Sequence, residues 1–276
     1  KADGGTEQAY THKVGSLTGT GGIGMSTWNV GYLGLNDTFA GKFNSAATVN
    51  KYGDGIWTLT GASAGPLNIY AGEVEAKNTA APITTGTISV RSGGLLDGTG
   101  QVQSVTVMSG GTLGAGKSTS AVAGTLIVNG TLTMSAGATL RVRTRSSAAY
   151  THSDAFKVAG NVRLTSPKIV MTELNTGYDI VDYAELHIFT GAGKITITGD
   201  VTIEPAVPKA GWLWDTSTLA ENGIIRVVAD PVGINGISAD QLTDADVIYD
   251  AAGRRISNIS SSGTYIVNGK KVFIHK

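Results

Sequence analysis

Apolar and polar residues alternate in short runs along most of this chain, and glycine closes nearly every run. Ile88-Ser89-Val90 is one such run and Val105-Thr106-Val107 another. A period of two puts Ile88 and Val90 on one face of an extended strand and Ser89 on the other. The segment from Ile88 to Leu96 (Ile-Ser-Val-Arg-Ser-Gly-Gly-Leu-Leu) recurs as Val105 to Leu113 (Val-Thr-Val-Met-Ser-Gly-Gly-Thr-Leu). A looser third copy runs from Leu132 to Leu140, with Thr133, Ala136, Gly137 and Thr139 in register. Each copy is a strand, a corner of small residues and a second short strand, and glycine allows the corner to turn sharply. A strand apolar on one face needs a partner, and the same face of the next copy supplies it, so the pattern predicts a continuous core along a stack of repeats.

The same pattern extends in both directions. Ile56 to Thr60, Thr125 to Asn129 and Lys194 to Thr198 each read as a strand between glycines, and Phe156-Lys157-Val158 with Val162-Arg163-Leu164 as a strand pair around Gly160-Asn161. Helical periodicity is absent almost everywhere, and Ser238 to Asp246 is given one short helical turn at most. The pattern changes near residue 230, where Ala229-Asp230-Pro231-Val232-Gly233 reads as a linker. Beyond it lie Val247 to Asp250, a turn at Ala251-Ala252-Gly253, Arg254 to Ile256, and two alternating runs joined by Asn268-Gly269, a strong hairpin signal. The expected fold is all-β: a parallel β-helix over residues 1–229 and a small antiparallel β module over residues 230–276. So small a module without disulfides is expected to pack on the last repeat or on a partner chain.

Composition narrows the function. Basic and acidic residues balance at 21 each, so no long-range field draws in nucleic acid or an anionic membrane. Only 15% of residues are charged, against about 25% in ordinary domains. Glycine is abundant, at 39 residues, and cysteine is absent, which excludes disulfides and thiolate metal sites. No apolar run is long enough for a transmembrane helix. The chain begins at Lys1 with no visible signal peptide, and an upstream segment is expected to have been removed or to lie outside this sequence.

Several of these residues resemble a known family. Lys51, Gly53, Gly55, Trp57, Leu59 and Gly61 match the Lys-x-Gly-x-Gly-x-Trp-x-Leu-x-Gly signature of autotransporter-associated β-strand repeats. Trp28-Asn29-Val30-Gly31 and Asp37 to Gly41 resemble the preceding repeat, Ser109 to Gly116 the Ser-Gly-Gly-Thr-Leu corner, and Trp214 to Leu219 with Asn222-Gly223 and Val227-Val228 the closing strands. The resemblance spans roughly residues 20–228. It implies a right-handed helix and a bacterial surface passenger. No membrane-barrel pattern follows. Instead Val247 to Arg255 and Gly263 to Val267 resemble the C-terminal sorting tails of secreted Bacteroidetes proteins. That implies delivery across a Gram-negative outer membrane by a secretion machinery that reads the tail.

Candidate chemistry is sparse. Gly111 to Ser118 matches the phosphate-loop pattern G-x-x-x-x-G-K-[ST], which requires a helix after Ser118; Thr119 to Gly124 is a poor helix, and the repeat already explains the glycines. Arg141, Arg143 and Arg145 alternate along one strand, with Lys157, Arg163 and Lys168 nearby. They are either a basic stripe for an acidic glycan or a lipopolysaccharide phosphate, or a solvated face with Val142 and Thr144 inside. Glu73 and Glu75 share a face and are the most enzyme-like pair, but no neighbouring Asp or Arg can be placed beside them from sequence. Asp97-Gly98 and Asp54-Gly55 read as turns. His12, His152, His187 and His275 lack zinc-site spacing. Trp57 is expected inside the repeat, and Trp212 and Trp214 share a face that either stacks sugars or seals the last repeat.

The expected function is that of a non-enzymatic, secreted or cell-surface structural or adhesion protein, outer-membrane associated. No catalytic residues, metal or cofactor are expected. The expected partners are surface glycans or other host or bacterial surface components, and not nucleic acid. The candidate ligand residues are Arg141, Arg143, Arg145, Trp212 and Trp214. The alternatives are a carbohydrate-binding module of a glycan-processing protein and a β-helix polysaccharide lyase.

Overall fold

Strands with one apolar face can bury it only against a partner, and in this chain the partner is the next repeat. The computed structural model describes residues 10–175, 179–230, 237–238, 242, 247–250, 252–256, 259, 263–268 and 270–275. Nine strands form a first sheet, parallel throughout, from Thr11–Val14 to Ile195–Thr198. A second sheet runs in parallel steps from Asp37–Phe39 to Thr202–Glu204. A third contains Gln101–Val102, Thr125–Val128, Ala155–Val158 and Phe189–Thr190. From Ile88 to Glu204 the chain visits the first, second and third sheets in turn, with Thr151–Ser153 and Glu185–His187 as the excursions.

Register follows the apolar residues. Val90 lies beside Val107, then Met134, Leu164 and Ile197; Ile88 lies beside Val105, Leu132, Val162 and Ile195. In the second sheet Trp57, Val74, Leu96, Leu113, Leu140, Ile169 and Ile203 line up in the same way. These columns merge into one buried cluster that also holds Phe156 and Phe189 from the third sheet. The repeat length is not constant. The step along the chain from Ile88 to its partner Val105 is much shorter than the step from Val105 to its partner Leu132. The surplus leaves the stack between Leu113 and Thr125 as a loop.

The corner residues are set by contact between repeats. Gly110 has φ 76° and lies over Ser92, whose hydroxyl a side chain at 110 would strike. Gly137 stands in the same relation to Ser109, so Ser-Gly-Gly is a stacking unit in which each serine needs a glycine above it.

The signature around Lys51 has an equally mechanical basis. Lys51 occupies the inward column that Ile69 and Val90 continue, and is 2% exposed. Its ammonium donates to the carbonyl oxygens of Tyr52 and Gly53, each at 2.7 Å, and of Ala71 at 3.3 Å. Burial lowers its pKa to about 8, against the pull of Asp54, Asp37 and Glu73. Gly53, at φ 69°, passes so close to the Gly31 carbonyl that no Cβ fits. Trp57 is buried over Phe39 and donates from Nε1 to the Leu17 carbonyl at 3.0 Å.

On the outer face of the first sheet polar side chains stack in the same register. Asn68 donates to Asn50 and Asn50 to Asn29, at 2.9 and 2.8 Å. Tyr32, Tyr52 and Tyr70 stack with centroids 5.1 and 4.9 Å apart, and Arg91 caps the last ring at 5.1 Å.

After Glu204 the parallel pattern gives way to an antiparallel sheet of Glu185–His187, Ile224–Ala229 and Trp212–Asp215, with a short helix at Leu219–Asn222. Leu186, Leu219 and Ile225 join the main core, and the helix packs beside Ile195–Thr198. The C-terminal strands form a five-stranded sheet with a small cluster of Ile248, Ile259, Tyr265 and Val267. It is antiparallel except where Ile237–Ser238 runs parallel to Ile274-His275. Most of the expected linker at 229–233 and helical turn at 238–246 lies outside the described residues, as do Ala251 and Gly269 of the two expected turns. Among the described residues no helix is long and apolar enough to cross a membrane.

Replacing Lys51 with Met keeps the volume but strands three carbonyls. The expected cost is about 2–3 kcal/mol, the range for a hydrogen-bonded charged group in a buried setting. Urea unfolding of Lys51→Met checks it.

Candidate functional site

Three separate sequence features converge on one place, the outer face of the second sheet beneath the loop that follows Leu113. Parallel pairing sets Glu75 between Thr58 and Asp97, and Glu73 between Ile56 and Leu95. Arg141 and Arg143 reach the same patch from Thr139–Ser146, two strands further along. The loop carries Lys117 and Ser118 over it. Glu73, Glu75 and Asp97 are all buried, although they point away from the apolar core.

The charges are spent on one another. Arg141 pairs with Asp97 at 2.7 Å, and Lys117 with Glu75 at 3.3 Å. The Thr58 hydroxyl donates to Glu75 at 2.6 Å and the Ser118 hydroxyl to Glu73. Asp97 is pushed up to about 8, first by burial and then by the Glu73 charge, against the hydrogen bond from Arg141. Glu73 Oε1 and Asp97 Oδ1 are both buried with no hydrogen-bond partner among the described residues. Burial together with the nearby Glu73 carboxylate favours a proton on Asp97.

Arg143 fastens the loop. It is 2% exposed, and its Nε and one terminal nitrogen bond Asp154 at 2.8 and 3.0 Å. The remaining contacts go to the carbonyls of Ala115, Lys117, Ser120 and Val122, at 2.7, 2.6, 3.0 and 3.3 Å. Asp154 also accepts from the backbone of Gly124 and of Arg143 itself. A planar fork with several fixed donors suits such a ring of carbonyls, and a lysine in its place would satisfy fewer.

These placements change several expectations. Arg141, Arg143 and Arg145 do not share an exposed stripe: only Arg145 is exposed, because the loop covers the other two. Lys157 and Arg163 lie on the third and first sheets, and Lys168 pairs with Glu204. Asp97-Gly98 is the buried end of a strand, not a turn. Glu73 and Glu75 do have an Asp and an Arg beside them, supplied by later strands that the stack brings alongside. The segment after Ser118 forms turns and then Thr125–Val128, so the phosphate-loop match lacks the required helix. Trp214 packs against the main core and donates to the Pro205 carbonyl at 2.9 Å. Trp212 meets Tyr183 edge to face, with Lys209 over its ring at 5.0 Å. Both tryptophans therefore contribute to the antiparallel sheet at the end of the stack.

Among the histidines, His12 stacks on Trp28, His187 is exposed and His152 lies opposite Arg145; the side chain of His275 lies outside the described residues. Among the described residues no group of three or more His, Cys, Asp or Glu is placed to hold a metal. Asp154 and Tyr150 carry no signal in the sequence; nothing in their local spacing marks them, since each meets its partners across a loop. No protein-family model matches the chain, and no curated protein matches its sequence.

The Asp97 pair makes stability depend on pH. Its folded pKa lies above that of an unfolded aspartate, so the folded state binds more protons, and stability falls as pH rises from about 4 to about 8. Asp97→Asn keeps a donor for Glu73 and an acceptor for Arg141 without the charge. The variant is expected to match the wild type near pH 4 and exceed it near pH 8, as read from melting curves across that range.

Proposed function

We propose that residues 1–229 form a right-handed parallel β-helix followed by a sorting-type module over residues 230–276. We further propose that the protein is a non-enzymatic structural or adhesion element, secreted by or held at the surface of a Gram-negative bacterium. The repeated visit to three sheets in a constant order supports the helix. Right-handedness follows from the strong preference of parallel crossovers and from the resemblance to passenger repeats. The secretion route and surface location rest on the resemblance of Val247 to Arg255 and Gly263 to Val267 to sorting tails.

One observation carries the non-enzymatic part. The groups that most resemble a catalytic set, Glu73, Glu75, Asp97 and Arg141, are bonded to one another or to loop residues and covered by the loop that Lys117, Ser118 and Arg143 hold down. A general acid or base must reach a substrate proton within hydrogen-bond distance. Covered carboxylates that bond Lys117 and Ser118 serve to hold the loop. For the same reason a polysaccharide lyase at this patch is the least favoured alternative. Carbohydrate binding is the better second reading, because Arg145 stands exposed in a cleft beside Tyr150 and His152.

Antibody to the purified chain is expected to label intact cells of the organism that makes it, and polygalacturonate with calcium is expected to remain uncleaved by the chain. Labelling only after permeabilisation contradicts the location; calcium-dependent release of unsaturated uronides contradicts the absence of catalysis.

A further inference from the structure

The loop that hides the acidic patch also builds one wall of a cleft of about 640 Å³. The opposite wall is the antiparallel hairpin in which Arg145 lies directly across from His152. Tyr150 and His152 have ring centroids 4.6 Å apart, and Tyr150 is 55% exposed. Among the described residues Arg145 makes no ion pair, unlike Arg141 and Arg143 on the same strand. Among the described residues no carboxylate lines the cleft.

Both walls are held in place without help from a ligand. Arg143 and Asp154 fix the loop side through the bonds to Ala115, Lys117, Ser120, Val122 and Gly124. On the hairpin side Ser146 and Asn175 exchange two hydrogen bonds, at 3.0 and 2.8 Å. The Ser147 hydroxyl accepts from the Tyr150 backbone amide at 3.2 Å, which fixes the turn that presents the tyrosine. Pre-formed walls spare a ligand much of the ordering cost of binding.

We infer that this cleft binds an acidic saccharide, with a uronic-acid carboxylate on Arg145 and a sugar ring against Tyr150 and His152. The inference rests on the adhesion role proposed above and names its ligand class. The guanidinium fork matches a carboxylate in two parallel hydrogen bonds. The aromatic rings offer apolar faces to sugar C–H groups while their polar edges stay wet. The hydroxyls of Thr125 and Ser153 and the exposed Val122 complete a surface mixed enough for a sugar. A single arginine suits one carboxylate better than a nucleic acid or a polyphosphate, which are bound by several cations together.

The test is a titration of the ¹⁵N-labelled full chain with trigalacturonate, with a neutral galactose trisaccharide and with inorganic phosphate. The expected result is shifts confined to residues 122–125 and 145–153, with trigalacturonate bound about tenfold or more tightly than either control, the value of one charge-assisted hydrogen-bonded contact. Arg145→Gln and Tyr150→Ala are each expected to weaken binding by about tenfold with the rest of the spectrum unchanged. Should Arg145→Gln misfold, Arg145→Lys keeps the charge and removes the fork, and a smaller loss is expected. No shifts at millimolar ligand, shifts elsewhere, equal binding of a control, or undiminished binding by the folded variants would each overturn the assignment. Surface labelling of cells does not depend on the cleft, so failure here is separable from failure of the surface role.

Discussion

From Thr11 to Glu204 the structure is subordinate to parallel in-register stacking. Each repeat offers its neighbour a column position, and whatever occupies that position must suit the residues before and after it. Apolar columns satisfy this trivially, because Val90 on Val107 on Met134 only has to be dry and close. Lys51 satisfies it by turning its ammonium onto three carbonyls at the corner, so a lysine sits in the inward column held by backbone oxygens. The outer Asn and Tyr ladders show the same rule on the wet side: like residues stack on like because the spacing between strands, about 4.8 Å, suits an amide chain or a ring stack.

Variation has one outlet under such a rule, which is the length of chain between strands. The stack keeps its register while the chain between Val105 and its partner Leu132 lengthens. The surplus becomes the 114–124 loop, and the hairpin after Arg145 is a second such excursion. The buried carboxylates and the arginines that meet them gather there. Buried carboxylates on the outer face exist because a loop covers them, and Arg143 is the residue that keeps the loop in place. The cleft between the two excursions owes its shape to the stack and its chemistry to the insertions, a division of labour expected where loops carry function on a rigid scaffold.

How far this was legible beforehand differs by level. Alternation at Ile88 to Val90 and Val105 to Val107 marked strands, inward faces and even the pairing partner, since the next copy in sequence is the true neighbour. Trp57 inside and Trp214 at the closing sheet also follow from local pattern. The site was not legible as a whole. Glu73 and Glu75 were visible as a pair, but Asp97, Arg141 and Asp154 reach their partners through strand pairing and loop closure, and nothing near them in sequence states that. Alternation showed that Arg141, Arg143 and Arg145 share a face; it carried no information on what lies over that face. Only the covering loop distinguishes Arg141 and Arg143 from the exposed Arg145.

Stacking itself is open to a direct measurement. Lys13, Ser89 and Thr196 stand in one outward row of the first sheet, four strand steps apart in each interval. The chain has no cysteine, so spin labels can be attached at introduced pairs without background. Double electron–electron resonance should give about 19 Å between backbone positions for 13–89 and for 89–196, and about 38 Å for 13–196, from strand spacing alone. Additive distances support the stack. A 13–196 distance no longer than the other two would contradict it.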